Sequence, residues 1–347
     1  MIINNRSIGK EFAPYIIAEM SGNHNQSLDK ALEIVDAAAK SGAHAIKLQT
    51  YTADTMTLDI AEGEFFISDK NSLWQGNDMY SLYQKAHTPW EWHEAIIQRA
   101  ASHDMTCFSS PFDETAVDFL ESLNMPAYKI ASFESIDLPL IKKVAQTGKP
   151  MIISTGMATL AEIDDAVRTA RENGCKDLAI LKCTSTYPAS PENTNLRTIA
   201  HMQDLFGCEV GLSDHTMGIG ASVAAVAFGA TIIEKHFTLS RAEGGVDADF
   251  SLEPYELNSL VTETERAWLA LGKVQYGPTE AEKKARLRRR SLYIGEDMQA
   301  GDVLTTTNLR RIRPGLGLPP KFFDVLLGKK VNQNVKKGTP VSWNLFD

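Results

Sequence analysis

The chain has 347 residues, 43% of them hydrophobic and 23% charged, with a formal net charge of −9. That composition is ordinary for a folded soluble protein with a large core. Residues 287–347 carry 11 Lys and Arg against 5 Asp and Glu, a balance of +6, whereas the preceding residues carry 24 against 39, or −15. An acidic body argues against nucleic acid as the partner of the whole chain, and a basic tail can lend a cation to an anionic ligand. The opening MIINNRSIGK lacks the apolar core of a signal peptide, and the apolar stretch 221–233 is too short to span a bilayer. The four cysteines show no CxxC spacing and read as reduced thiols, so a cytoplasmic protein is expected, with no membrane partner.

Strand-like runs fall at 15–19, 45–50, 105–110, 127–132, 151–156, 178–183, 209–214 and 231–237. Amphipathic, helix-like stretches at 28–40, 90–103, 114–123, 160–173 and 254–271 follow or separate them. Asp113 reads as a helix N-cap, and Gly42, Gly148 and Gly174 as C-terminal signals. Eight such units predict a (β/α)8 TIM barrel over 1–272. An open doubly wound sheet fits less well, because SGNHNQS stands where a glycine-rich dinucleotide turn would be. Between the second strand and its helix, residues 51–88 form a long excursion with Trp74, Tyr80 and Tyr83, read as a lid or substrate wall. A polar linker at 273–286 then leads to a small β-rich domain over 287–347.

The strand-like runs turn polar at their carboxyl ends, where a parallel barrel gathers its catalytic groups. AIKLQT, AYKIAS and ILKCTS place Lys47, Lys129 and Lys182 there, which suggests an anionic, phosphorylated ligand. Alternation puts Lys47 with Gln49, Ser213 with His215, and Glu234 with His236 on one face each, whereas Lys182 disagrees in parity with Ser185. His215 and His236 end neighbouring strands and could share a divalent cation in an open site. Ser110, Ser132, Ser154 and Ser213 close strands and could cradle a phosphate. The residues alone leave open a metal-dependent barrel hydrolase, although the first strand lacks a His-x-His pair. They also leave open a non-catalytic sugar- or ice-binding protein.

IIAEMSGNHNQS, AIKLQT, FSSPFDETAVDFL, YKIASFE, IISTGMAT, LKCTSTYP, GLSDHT and EKHFTL, taken in order, resemble the sialic acid synthase family. The resemblance covers nearly the whole chain. The tail, with NLRRIRPGLGL, resembles the antifreeze-like (SAF) domain that this family carries. Three features are closer to the pseudaminic acid branch than to the N-acetylneuraminate branch: EMSGNHN after the first strand, Ser185 where asparagine is common, and Ala248 beside Asp247.

The resemblance implies that phosphoenolpyruvate condenses with an amino-sugar aldehyde. In the pseudaminic acid branch that sugar is a 6-deoxy one, and a legionaminate- or N-acetylneuraminate-type reaction is the alternative. It implies a divalent metal (Mn²⁺, Co²⁺ or Mg²⁺) on His215 and His236. Phosphate contacts are implied for Lys129, Ser132, Ser154 and Ser213, with Ser185 at a related position, and carboxylate contacts for Lys47 and Ser110. Glu19, Gln49, Tyr187 and Asp247 match the sugar side, and Glu134 the carboxylate that handles the attacking water, with Lys47 and Glu19 beside the reacting atoms. Arg313 matches an arginine that the tail domain inserts into a partner subunit's site, which implies a domain-swapped homodimer.

Overall fold

Eight parallel strands close into a barrel: β1 (Tyr15–Glu19), β2 (Ala45–Thr50), β3 (Thr106–Pro111), β4 (Tyr128–Ile130), β5 (Met151–Ser154), β6 (Leu178–Cys183), β7 (Glu209–Ser213) and β8 (Ile232–His236). β8 pairs with β1 to seal it, His236 lying level with Glu19. The computed structural model describes residues 1–70 and 72–346. Asn71, inside the excursion expected over 51–88, and Asp347, at the end of the tail domain expected over 287–347, lie outside the described residues.

Strand alternation sorts the barrel into two cores. Outward side chains such as Ile16, Ile46, Leu48, Ile130, Ile153, Ile180, Leu212 and Ile233 pack against the helices. Inward ones, Tyr15, Ile17, Ala45, Phe108, Ile152, Leu181 and Ile232, fill the amino-terminal part of the interior with Ile3 and Ile8. Ile3 belongs to a short antiparallel pair, Ile2–Ile3 with Arg6–Ser7, that precedes β1. The carboxyl-terminal part of the same inner face is left for polar side chains.

The outer ring contains α1 (Leu28–Lys40), α2 (His93–Ala101), α3 (Glu114–Ser122), α4 (Leu138–Ala145), α5 (Leu160–Glu172), α6 (Thr198–Phe206), α7 (Gly220–Ala227) and α8 (Pro254–Leu271). Their starts are chemically marked. Ser27 accepts from the Lys30 N–H, Asp113 from Thr115 and Ala116, and Thr159 with Glu162 forms a capping box. The apolar stretch 221–233 divides between α7 and β8 at Gly229, whose φ is +90° and where a Cβ would meet the Gln203 side chain at 2.9 Å. The strand expected over 127–132 stops at Ile130, because Ser132 opens a 3-10 turn, Phe133–Ile136. No described helix is long and apolar enough to cross a membrane.

The contacts divide the chain into units Met1–Gly272 and Lys273–Asp347. In the second unit β9 (Ser291–Ile294) pairs antiparallel with β10 (Leu309–Ile312). Its own core includes Leu292, Ile294, Met298, Leu304, Leu326, Val331 and Val341. The polar segment expected to link the two contains a short exposed helix, Lys283–Arg286.

One buried ion pair holds the outer face of the β7–β8 corner. Lys235 Nζ lies 3.0 Å from Asp214 Oδ2 and donates to the carbonyls of Thr216 (2.6 Å) and Gly218 (2.8 Å). Asp214 also accepts from the Thr216 N–H (2.9 Å) and the Ser222 hydroxyl (2.6 Å). The pair therefore ties the loop after β7 and the start of α7 to β8, with every ammonium hydrogen satisfied. Removing one partner from such a pair costs about 3–5 kcal/mol, because the other charge stays buried and unpaired. Lys235→Met should lower the barrel's stability by roughly that amount, and Lys235→Met with Asp214→Asn should recover more than half of the loss. Urea unfolding followed by circular dichroism measures both.

Candidate active site

Inside the barrel mouth, charge is arranged as a continuous chain. Lys47 on β2 forms an ion pair with Glu19 on β1, and its Nζ lies 3.9 Å from Glu234 on β8. Lys129 on β4 lies 3.3 Å from the other oxygen of Glu234, which also accepts from the Ser213 hydroxyl at 3.1 Å. Gln49 donates to Glu19 (3.0 Å) and to Ser21 (3.3 Å), and Ser21 donates to Asp247. Both lysines and both glutamates are at most 5% exposed. Burial opposes every one of these charges, but the two lysines outweigh it at Glu234 and hold that carboxyl low. Burial likewise opposes the Lys47 charge, and Glu19 and Glu234 more than offset it, so its ammonium is held high. Lys129 is pushed down by burial and by Lys47, with Glu234 the main opposing influence. Burial raises the Glu19 carboxyl in spite of Lys47, so Lys47 and Glu234 are the two groups of the set shifted toward their charged forms.

A hydroxyl pocket stands beside them. Ser110 accepts from Lys47 at 3.3 Å. Ser154, the last residue of β5, is buried and its Oγ has no partner. Two residues later Gly156 adopts φ +39°, and a Cβ there would meet Ser132 Cβ at 2.5 Å and Ser185 Oγ at 2.6 Å. Only glycine lets the chain pass this close to both hydroxyls. Lysines, an unpartnered hydroxyl and closely packed serines suit a compact oxyanion. Glu134, in the 3-10 turn after β4, has a buried Oε2 without a partner, and burial raises its carboxyl to about 7.

The two histidines lie against each other across the β7–β8 corner, with ring centroids 5.3 Å apart. His215 Nδ1 is 3.0 Å from the Thr184 carbonyl, which leaves Nε2 as the free nitrogen. His236 Nδ1 is buried without a hydrogen-bond partner, with Asp247 at 3.7 Å. Burial, together with His215 and three nearby lysines, keeps His236 well below the usual imidazole range, hence neutral and fit to donate a lone pair. Burial pulls His215 down, but Cys183 and the Thr184 carbonyl outweigh it and hold that imidazole above the usual range. Two adjacent histidines, each with a ring nitrogen free of hydrogen bonds, fit a divalent cation of the Mn²⁺, Co²⁺ or Mg²⁺ kind. Among the described residues no group of three or more His, Cys, Asp or Glu forms a cage, so such an ion would draw its remaining ligands from substrate and water. Aromatic rings wall this corner. Tyr187 lies 4.5 Å from the His215 ring, and Phe250 lies 4.8 Å from that of His236.

Of the three strand-end lysines, two point inward and one does not. Lys182 faces out of β6, and its Nζ donates to the Cys183 carbonyl (2.6 Å) and the Thr184 hydroxyl (3.3 Å). The inward residue of that pair is Cys183, whose Sγ lies 3.7 Å from Ser185 Oγ and 3.8 Å from His215 Nδ1. All four cysteines are free thiols, as their spacing suggested. His24 packs edge-on against Trp92 at 5.4 Å and takes no part in the polar chain. Arg313 lies exposed just beyond β10 in the second unit. Glu234 and Gly156 emerge as central although neither was assigned a role from sequence. The parity of Glu234 with His236 was the available signal for the first, and no local signal marks the second.

Comparison with known proteins agrees with this geometry. Residues 34–276 match the NeuB family and residues 289–347 match the SAF domain. The pseudaminic acid synthase of Helicobacter pylori is 44% identical over 95% of this chain and 96% of its own. The N,N'-diacetyllegionaminic acid synthase of Legionella pneumophila is 36% identical over 96% of this chain and 95% of its own. Among solved structures, the N-acetylneuraminic acid synthetase of Leptospira borgpetersenii, crystallised with citrate, superimposes with a TM-score of 0.74 at 31% identity, covering 82% of this chain and 94% of that one. The family model spans most of the chain and the SAF match takes up the rest of its carboxyl-terminal part, so the chain belongs to the NeuB family.

Proposed function

We propose that the protein condenses phosphoenolpyruvate with 2,4-diacetamido-2,4,6-trideoxy-altrose and water, giving pseudaminic acid and phosphate. The observation that carries the reading is the adjacency, inside one barrel mouth, of a lysine and hydroxyl pocket with two facing histidines, of which His236 is held neutral. Such a site holds an anion beside a carbonyl that is ready to be polarised. The 44% identity to a pseudaminic acid synthase, against 36% to a legionaminic acid synthase, favours the first sugar.

Lys129, with Ser132, Ser154, Ser185 and Ser213, takes the phosphate, and Lys47 with Ser110 takes the carboxylate. Glu19, Gln49, Tyr187 and Asp247 orient the sugar. A divalent metal on His215 and His236 would act as a Lewis acid toward the aldehyde oxygen. The methylene carbon of phosphoenolpyruvate bonds to the aldehyde carbon, leaving the enol carbon electron-poor. Water adds at that carbon and loses its proton to Glu134. The tetrahedral intermediate then releases phosphate by carbon–oxygen cleavage, while the lysines hold the departing charge. Arg313 reaches the sugar's acyl groups from the tail of a partner subunit in a swapped homodimer, and the reaction runs in the cytoplasm.

Phosphate release from phosphoenolpyruvate with the diacetamido-trideoxy sugar, set against N-acetylmannosamine and the legionaminate precursor, tests the assignment. Turnover of N-acetylmannosamine alone would reject it. His236→Ala should abolish turnover with the fold retained, and a chelator should do so reversibly. Full activity after chelation, with metal loss verified by elemental analysis, would remove the metal.

The Glu134 carboxyl, raised to about 7 by burial, accepts a proton from water only when ionised. kcat/KM should therefore fall as pH drops through 7, approaching tenfold per unit below it. Glu134→Gln should lose that limb along with most of the activity. A profile unchanged by the substitution would give the base role to another group.

Mixing Arg313→Ala chains with His236→Ala chains tests the swap. Mixed dimers hold one site with both groups intact and should regain activity, provided native mass spectrometry shows subunit exchange. Exchange without recovery would place each tail on its own barrel.

A further inference from the structure

The excursion after β2 sends one aromatic residue back over the site. Trp74 donates its indole N–H to the Val246 carbonyl at 2.9 Å, next to Asp247. Its ring centroid lies 5.8 Å from that of Tyr187, which itself lies 4.5 Å from the ring of His215. Tyr187 in turn lies 5.2 Å from Phe250. The order outward from the histidines is therefore Tyr187 and Phe250, then Trp74. The polar side chains of the site, Glu19, Gln49, Ser21 and Asp247, are engaged in the hydrogen-bonded chain described above. The indole spends its one donor on Val246, so the face it offers is apolar.

An open-chain sugar whose aldehyde sits at the histidines has to run its far carbons outward. We infer that Trp74 is a specificity-determining residue that receives the terminal carbon of the sugar and favours a methyl over a hydroxymethyl group there. This rests on the functional reading above and adds to it the part of the substrate being read. A hydroxyl placed against the indole, which tilts against Tyr187, loses water without gaining a partner, whereas a methyl loses nothing. An apolar pocket discriminates against one added hydroxyl by up to about a hundredfold. The 51–88 excursion thus serves as a substrate wall, with the Trp74–Val246 hydrogen bond fixing the indole in place.

The test uses the full-length protein, phosphoenolpyruvate, and two diacetamido sugars identical except at carbon 6, one bearing a methyl and the other a hydroxymethyl group. Wild type should prefer the methyl sugar in kcat/KM by about 10–100-fold. Trp74→Ala should raise KM for the methyl sugar about tenfold, shrink the preference to threefold or less, and leave KM for phosphoenolpyruvate within twofold. Trp74→Phe keeps an aromatic face but loses the N–H, and should keep most of the preference. An unchanged preference in Trp74→Ala overturns the inference. So does a rise in KM for phosphoenolpyruvate equal to that for sugar, which marks a general loosening of the mouth. A Trp74→Phe variant as unselective as Trp74→Ala also overturns it, since the anchor and not the ring would then matter. Wild type that consumes neither sugar overturns the functional reading itself and this inference with it.

Discussion

Two ammonium groups and two carboxylates, all nearly sealed from solvent, occupy the upper interior of the barrel, and the rest of the site is arranged around them. Each would be costly alone. Lys47 bridges Glu19 and Glu234, and Lys129 takes the second oxygen of Glu234. Glu19 and Glu234 hold the Lys47 ammonium high, and Glu234 opposes the burial that pushes Lys129 down. The cost of desolvating both lysines is met during folding. The neutral His236 belongs to the same arrangement, since burial and the neighbouring cations together keep its imidazole unprotonated.

The outer face of the same strands provides rigidity. Asp214 and Lys235 each precede a site histidine by one residue, and their buried pair fixes the β7–β8 corner from behind. Strand alternation makes this division possible: the side chain at 235 meets the loop that leads into helix α7, while those at 234 and 236 face the barrel interior. The same rule explains the distribution at β6, where Cys183 looks inward and Lys182 outward.

Most of the barrel was legible because its signals are local and periodic. Apolar runs of the right length, the cap at Asp113, and glycines with positive φ at 42, 148 and 174 all act over a few residues. The inward pairs Lys47 with Gln49 and Glu234 with His236 followed from period two. Lys182 was misleading because residue type drew attention ahead of parity. Glu234 went without a role because a carboxylate looks out of place in an anion pocket until the two lysines flanking it are seen. Gly156 could not be read at all, since its need for a missing Cβ comes from Ser132 and Ser185, which other strands deliver. Trp74 lay in a long segment without periodicity, and its contacts with Val246 and Tyr187 assign it a face.

The seam between β8 and β1 joins residues more than two hundred positions apart, with His236 level with Glu19. Pairing over such a separation is the slow, entropically expensive step of a fold. The final strand also brings Glu234, the counter-charge for both lysines, and one of the two histidines. A nascent chain that has not yet released β8 from the ribosome therefore has two interior cations without their shared carboxylate and an incomplete reaction centre. The charge imbalance in its unfinished interior favours docking of the one strand that corrects it. Closure of the barrel and neutralisation of its interior are then a single event in the life of the polypeptide.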